Sequence, residues 1–116
     1  MLLGRMFFRD FNQRKPMDSH ANGHPEQTCP KFPLGQTVIT RNALSRLPAA
    51  EVLASIGRHV IGDWGDMDAH DWQANDDALR HGGRLFSAYR TASGVKFWVI
   101  TEWDRSCTTV LLPEDY

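Results

Sequence analysis

Hydrophobic positions along this chain fall into two regimes that meet near residue 31. Residues 12–31, NQRKPMDSHANGHPEQTCPK, hold three prolines, many polar side chains and almost no large apolar ones. A stretch of that kind has too little apolar surface to offset the entropy of ordering it. The pattern therefore predicts a flexible tail over 1–31 and a single folded domain over 32–116. From Phe32 the spacing becomes regular. The run Thr37–Thr40 is β-branched and predicts a short strand. Thr40 is placed to cap a short helix carrying Ala43, Leu44 and Leu47. Pro48 suits the first turn of a second helix. There Val52, Leu53, Ile56 and Val60 recur at three- and four-residue intervals as one apolar stripe, and Gly62 marks its end. Asp68, with Asp71 three residues on, opens a third helix bearing Trp72, Asn75, Ala78 and Leu79 on one side; HGG at 81–83 closes it.

Beyond that helix the period changes from three or four to two. RLFSAYRT, VKFWVIT and CTTVLLP are rich in β-branched and aromatic residues. Ala92-Ser93-Gly94 separates the first two at hairpin length, and a polar loop from Glu102 to Ser106 separates the second pair. In 95–101 both alternating sets are apolar, Phe97 and Val99 on one side, Trp98 and Ile100 on the other. The expected class is α+β: a short N-terminal strand, with two to three helices packed on a three- to four-stranded antiparallel meander.

Composition changes this picture little. A chain of 116 residues, 41% hydrophobic and 23% charged, is of a size to form one core. Its net charge of −1 gives no global footprint for nucleic acid or anionic membrane. MLLGRMFFRDF is broken by Arg5, Arg9 and Asp10 and does not read as a secretory signal, and no run approaches the length of a membrane span. Cys29 and Cys107 are too few and too far apart for a disulfide framework, which points to thiols in a reducing compartment. The expected location is cytoplasmic.

The segment HVIGDWGDMDAHDW, 59–72, is where chemistry is most concentrated. A calcium loop starting at Asp66 would need a ligand at position 5 and Gly at position 6, where His70 and Asp71 stand. His59 and His70 lie across a helix break, without the close ligand pair of a zinc site. His20, His24 and Cys29 are a sparse set on an unstructured stretch. No metal and no cofactor is expected. Gly62 and Gly65 instead favour a sharp reversal, with Asp63 and Asp68 bonding backbone N–H groups and Trp64 plugging the core. A second constellation, Tyr89, Arg90, Lys96, Glu102, Asp104, Arg105 and Tyr116, admits two readings: a phosphate-gripping or phosphodiester-cleaving face, or cross-strand ion pairs in water. Cys107, beside Ser106 and Arg105, reads as a small buried hydrophobe rather than a nucleophile.

FPLGQ at 32–36, RHVIGDWGDMD at 58–68, GGRLFSAYR at 82–90 and FWVITEWDRSCTTVLLPEDY at 97–116 together resemble an uncharacterised family of small bacterial proteins. Its members are associated with plasmids and other mobile DNA, and some carry the name type I restriction endonuclease subunit M. The resemblance implies a small cytoplasmic domain of mobile elements and no defined activity; GDWG recurs there as a motif. The leading expectation is a non-enzymatic module binding a protein partner through Trp64, Trp98 and Trp103, with a defence or counter-defence role compatible. The alternative is an RNA-cleaving toxin resembling the RelE/ParE group, with Arg90, Lys96, Arg105 and Tyr116 as its working set. Against a nucleic-acid partner stands the charge of residues 31–116, nine basic against eleven acidic.

Overall fold

The computed structural model describes residues 2–3 and 29–116. Its elements run β1 (Leu2–Leu3), β2 (Gln36–Thr40), α1 (Arg41–Arg46), α2 (Ala49–Val60), α3 (Ala69–His81), β3 (Leu85–Arg90), β4 (Lys96–Thr101) and β5 (Cys107–Leu111), then a 3₁₀ turn, Pro113–Asp115. Each helix starts where its polar cap stands. Thr40 accepts the Ala43 N–H at 3.2 Å, and Asp68 accepts that of Asp71 at 2.8 Å. Pro48 lies one position outside α2 as its N-cap, and Gly82, at φ 97°, ends α3.

The domain is α+β as expected, but the sheet is mixed. Its order is β1-β2-β5-β4-β3. β3, β4 and β5 form the anticipated antiparallel meander. β2 joins it parallel to β5, with Gln36 opposite Cys107 and Ile39 opposite Val110. Between them the chain makes its whole helical excursion, the kind of long connection that parallel neighbours require. Gly35 makes the junction tight. It sits at φ +66°, and an added Cβ would strike the Ser106 carbonyl group, whose oxygen accepts the Gln36 N–H at 3.0 Å.

The core lies between the helices and one face of the sheet. Ala43, Leu47, Val52, Ile56 and Val60 pack there against Ile39, Leu85, Tyr89, Phe97, Val99 and Val110. Leu44 and Leu53, expected in the apolar stripes, are exposed. On α2 the buried face is rotated to include Ser55 and His59; for His59 the sheet supplies two hydroxyl partners, Ser87 and Thr101. Of the tail predicted over 1–31, residues 1 and 4–28 lie outside the described residues. Leu2 and Leu3 pair antiparallel with Thr40 and Ile39, and Lys31 donates its N–H to Val60 O at 2.8 Å. Among the described residues no helix is long and apolar enough to cross a membrane.

Candidate functional site

The GDWG segment joins α2 to α3 and also closes an edge of the sheet. Asp63 receives the Arg58 guanidinium at 2.8 and 3.2 Å and the Gly65 N–H at 3.2 Å. The Arg58 hydrogen bond holds its carboxyl below the usual carboxylate value. Arg58 in turn lies over the Tyr89 ring, 4.8 Å from its centroid, while the Tyr89 hydroxyl donates to Asp63 O at 2.7 Å. Burial pushes that phenol above its ordinary pKa. Gly65, at φ +79°, presses against β3, where a Cβ would meet the Ala88 carbonyl oxygen and, at 2.7 Å, the Tyr89 ring. Ala88 then pairs on both sides of Gly65: its N–H donates to Trp64 O at 3.1 Å, and its carbonyl accepts from Asp66 at 2.7 Å.

Trp64 is fully buried, 0% exposed. Its indole N–H donates to Asp76 at 3.0 Å, and its ring lies against Phe32 and His59. The expected core plug is what it is. Its expected contact with a partner is corrected, because no part of the side chain reaches the surface. Asp68, His70 and Asp71 have donor atoms within 4.8 Å of one another, all exposed. Asp68 is occupied as the cap of α3 and His70 pairs with Asp71 at 3.6 Å, so the cluster belongs to the helix start.

His59 carries the polar centre of the molecule. Fully buried on α2, it touches Ser87 Oγ on β3 through Nδ1 at 2.6 Å and Thr101 Oγ1 on β4 through Nε2 at 2.9 Å. Thr101 continues to Thr108 on β5 at 2.6 Å, and Thr108 donates to Leu34 O at 2.7 Å. A carbonyl can only accept and each hydroxyl has one proton, so the terminal bond orders the whole chain. Thr108 spends its proton on Leu34; Thr101 must donate to Thr108; His59 Nε2–H must donate to Thr101; and with burial keeping the ring neutral, Ser87 donates to Nδ1. The imidazole is neutral and protonated on Nε2. Burial, helped by the positive charge of Arg105, lowers its pKa to about 3. A serine beside a histidine is the pairing of a nucleophile with its base, but Ser87 is as buried as His59. The pair is closed to substrate.

The four residues of the toxin reading do not converge. Arg90 and Lys96 face each other at the hairpin end of β3 and β4. Five residues along the strand, roughly 17 Å, lies the opposite end, where Arg105 sits. Its guanidinium donates to the carbonyls of Gly83, Glu102, Trp103 and Ala78 at 2.6, 3.1, 3.3 and 3.1 Å. Arg105 itself adopts φ 61°; it is a loop lock, committed to backbone. Tyr116 packs edge-on against Trp98 and accepts from Arg84 at 2.9 Å. Arg90 pairs with Asp66 and Arg84 with Glu102, Asp104 accepts the Ser106 N–H, and Cys107 is half-buried.

Trp98 and Trp103, the other two tryptophans expected to meet a partner, remain accessible. Trp98 is half-buried on the sheet face away from the helices, between Phe86 and Tyr116. Trp103 is 68% exposed on the loop that Arg105 pins. A cleft of about 350 Å³ opens between Met67, Asp71, Ala74 and Asn75 on one side and Arg84 and Phe86 on the other. His20 and His24, weighed as metal ligands, lie outside the described residues. Sequence reasoning missed the polar roles of His59 and Asn75. Their signal was a polar residue at a core position of a helical stripe, with Ser87, Thr101 and Thr108 at inward positions of three successive strands.

Fold and site together define a small α+β domain with a hydrogen-bonded polar chain in its core and with Trp103 and Tyr116 exposed. No protein-family model, no curated protein and no solved structure matches this chain.

Proposed function

We propose that this chain is a non-enzymatic protein-interaction module of the kind carried by plasmids and mobile DNA, acting in the cytoplasm, with Trp103 as its principal anchor and Trp98 as a second contact. The observation that supports this most is the setting of Trp103: a large, exposed indole on a loop held by the Arg105 bonds to four backbone carbonyls. Tryptophan is enriched among residues that dominate binding energy, and a loop ordered in advance lowers the entropy cost of docking. The pairing of Arg46, Arg58, Arg80, Arg84 and Arg90 with carboxylates also favours a protein partner over a phosphate backbone.

The test is capture from a bacterial host with Trp103→Ala beside the unmodified protein. The variant keeps its thermal midpoint within a degree or two, since the side chain packs on little, and loses a specific protein that the unmodified chain retains. Identical capture by both would sink the reading. Growth arrest on expression, abolished by Arg90→Ala or Arg105→Ala, would favour the toxin instead.

A further inference from the structure

The face of the sheet turned away from the helices is closed over part of its area and accessible over the rest. Val38, Ile100 and Leu111 point to that side by strand alternation, and they are only 5%, 2% and 6% exposed. Toward the β3–β4 hairpin and the C-terminus the same face reaches water: Lys96 is exposed, Trp98 half-buried and Tyr116 69% exposed. The rings there are crossed. Tyr116 stands at 74° to Trp98 with centroids 5.8 Å apart, and Phe86 stands at 56° to Trp98 with centroids 4.8 Å apart. Phe86 also walls the cleft of about 350 Å³ that faces Met67 and Ala74, so the rings run on into a depression. Two donors stand among them. The Trp98 indole N–H has no acceptor among the described residues, and since no buried side-chain nitrogen among them lacks a partner, it reaches water. The Tyr116 hydroxyl accepts from Arg84 and keeps its own proton for another acceptor. Lys96 shares this face with Trp98, two residues and about 7 Å away along β4. Among the described residues it has no carboxylate partner.

We propose that this aromatic patch binds a proline-rich segment of a partner protein, in the polyproline II conformation, with an acidic residue beside Lys96. The chemistry matches on both sides. Such a segment makes no internal hydrogen bonds, so its carbonyls need donors, and Trp98 and Tyr116 supply them. Crossed rings leave notches for a pyrrolidine ring, the mode by which aromatic-lined grooves take proline-rich ligands. Proline arrives with its φ already fixed, which lowers the entropy cost of docking. A single-stranded nucleic acid would stack on the same rings, but it also needs a basic groove along its backbone. Arg84 and Arg90 are paired with Glu102 and Asp66, which leaves Lys96 as the one unpaired cation of the patch among the described residues. The inference rests on the interaction-module reading and gives its Trp98 contact a ligand class.

The experiment titrates a fluorescein-labelled octaproline ending in a pair of aspartates with the full chain, read by fluorescence anisotropy. Trp98→Phe and Tyr116→Phe each keep a ring and remove one donor, and thermal unfolding verifies that both variants fold. Each weakens binding roughly three- to ten-fold. Lys96→Gln weakens it about two- to three-fold and leaves binding of octaproline without aspartates unchanged. A glycine-serine peptide of the same length and charge that binds equally well overturns the proposal, as does full affinity in both phenylalanine variants. Labelled oligodeoxythymidine that binds more tightly than the proline peptide overturns it in favour of nucleic acid. Self-association in sedimentation equilibrium that Trp98→Phe abolishes overturns it too, because the occupant is then a second copy. A host protein captured through Trp103 with no binding of the peptide ends this inference alone. Peptide binding beside capture that ignores Trp103 ends the Trp103-anchor reading alone.

Discussion

His59 shows how one side chain ties a helix to three strands, and at what cost in acid. The hydroxyl chain through Thr101 and Thr108 fixes a proton on Nε2, and burial keeps the ring neutral by lowering its folded pKa from 6.5 to about 3. A base held neutral by the fold contributes its full stability above the unfolded pKa and loses it as the pH falls from 6.5 toward 3. Across that window unfolding takes up one proton, so stability falls by up to about 1.4 kcal/mol per pH unit. Asp63 and Asp115, both lowered from 3.8, add losses at the acid end, below roughly pH 4.5. Urea unfolding between pH 7 and 4.5 therefore isolates His59: the unmodified protein loses about 2–3 kcal/mol, and His59→Gln, which cannot titrate, loses most of that slope. A slope surviving in the variant would assign the proton elsewhere. Two glycines give a sharper contrast at the same scale. Gly57 lies in α2 with nothing within 4 Å of an added Cβ, so Gly57→Ala raises stability by up to about 1 kcal/mol. Gly65→Ala places a methyl on the Ala88 carbonyl at a left-handed φ and costs about 3 kcal/mol or more. Thermal unfolding of the pair measures both signs.

At the scale of elements, Asn75 on α3 takes the place of a missing neighbour strand. Its amide satisfies both backbone groups of Phe86, as a paired strand would. Asn75→Ala leaves two edge groups without partners, each costing about 1–3 kcal/mol, and reopens β3 to another chain. The expected result is a urea midpoint lowered by some 2–4 kcal/mol of stability, with light scattering that rises with concentration. Loss of stability without added scattering would mean that the 64–66 segment alone guards the edge. Much of the element layout was legible before any coordinates. Thr40 and Asp68 announced their helices, Gly62 and Gly82 the ends, and the period of two announced β3 to β5. Those signals are local, set by backbone groups a few residues apart. The roles of Asn75, His59 and Arg105 were not legible, because each depends on partners distant in sequence. Asn75 reads as an ordinary member of a helical stripe until Phe86 is opposite it. Arg105 reads as a phosphate ligand until four carbonyls surround it. Trp64 was placed in the core from its glycines, yet kept as a partner contact because sequence cannot report complete burial.

The molecule as a whole is closed by contacts between its two ends in sequence. Thr108 bonds Leu34 O across 74 residues, Thr40 donates to Asp115 across 75, and Asn42 reaches the same carboxylate across 73. These contacts accompany the parallel β2–β5 pair, which no local turn can nucleate. The β3–β4–β5 meander, by contrast, is joined by short turns. Loop closure of such length is entropically expensive before any contact rewards it, so the order of assembly follows: the meander forms first and β2 docks on β5 late. Ile39 and Val99 lie in the same core, one on each side of that division. Truncating either to Ala removes buried apolar volume, at an expected cost of about 2–4 kcal/mol, large enough for kinetic apportionment. In stopped-flow chevrons Val99→Ala slows folding, with a φ-value of about 0.5–0.8. Ile39→Ala instead leaves the folding limb nearly unmoved and raises the unfolding rate, with φ below about 0.3. The reverse assignment would place the parallel pair in the folding nucleus. The meander would then owe its order to β2.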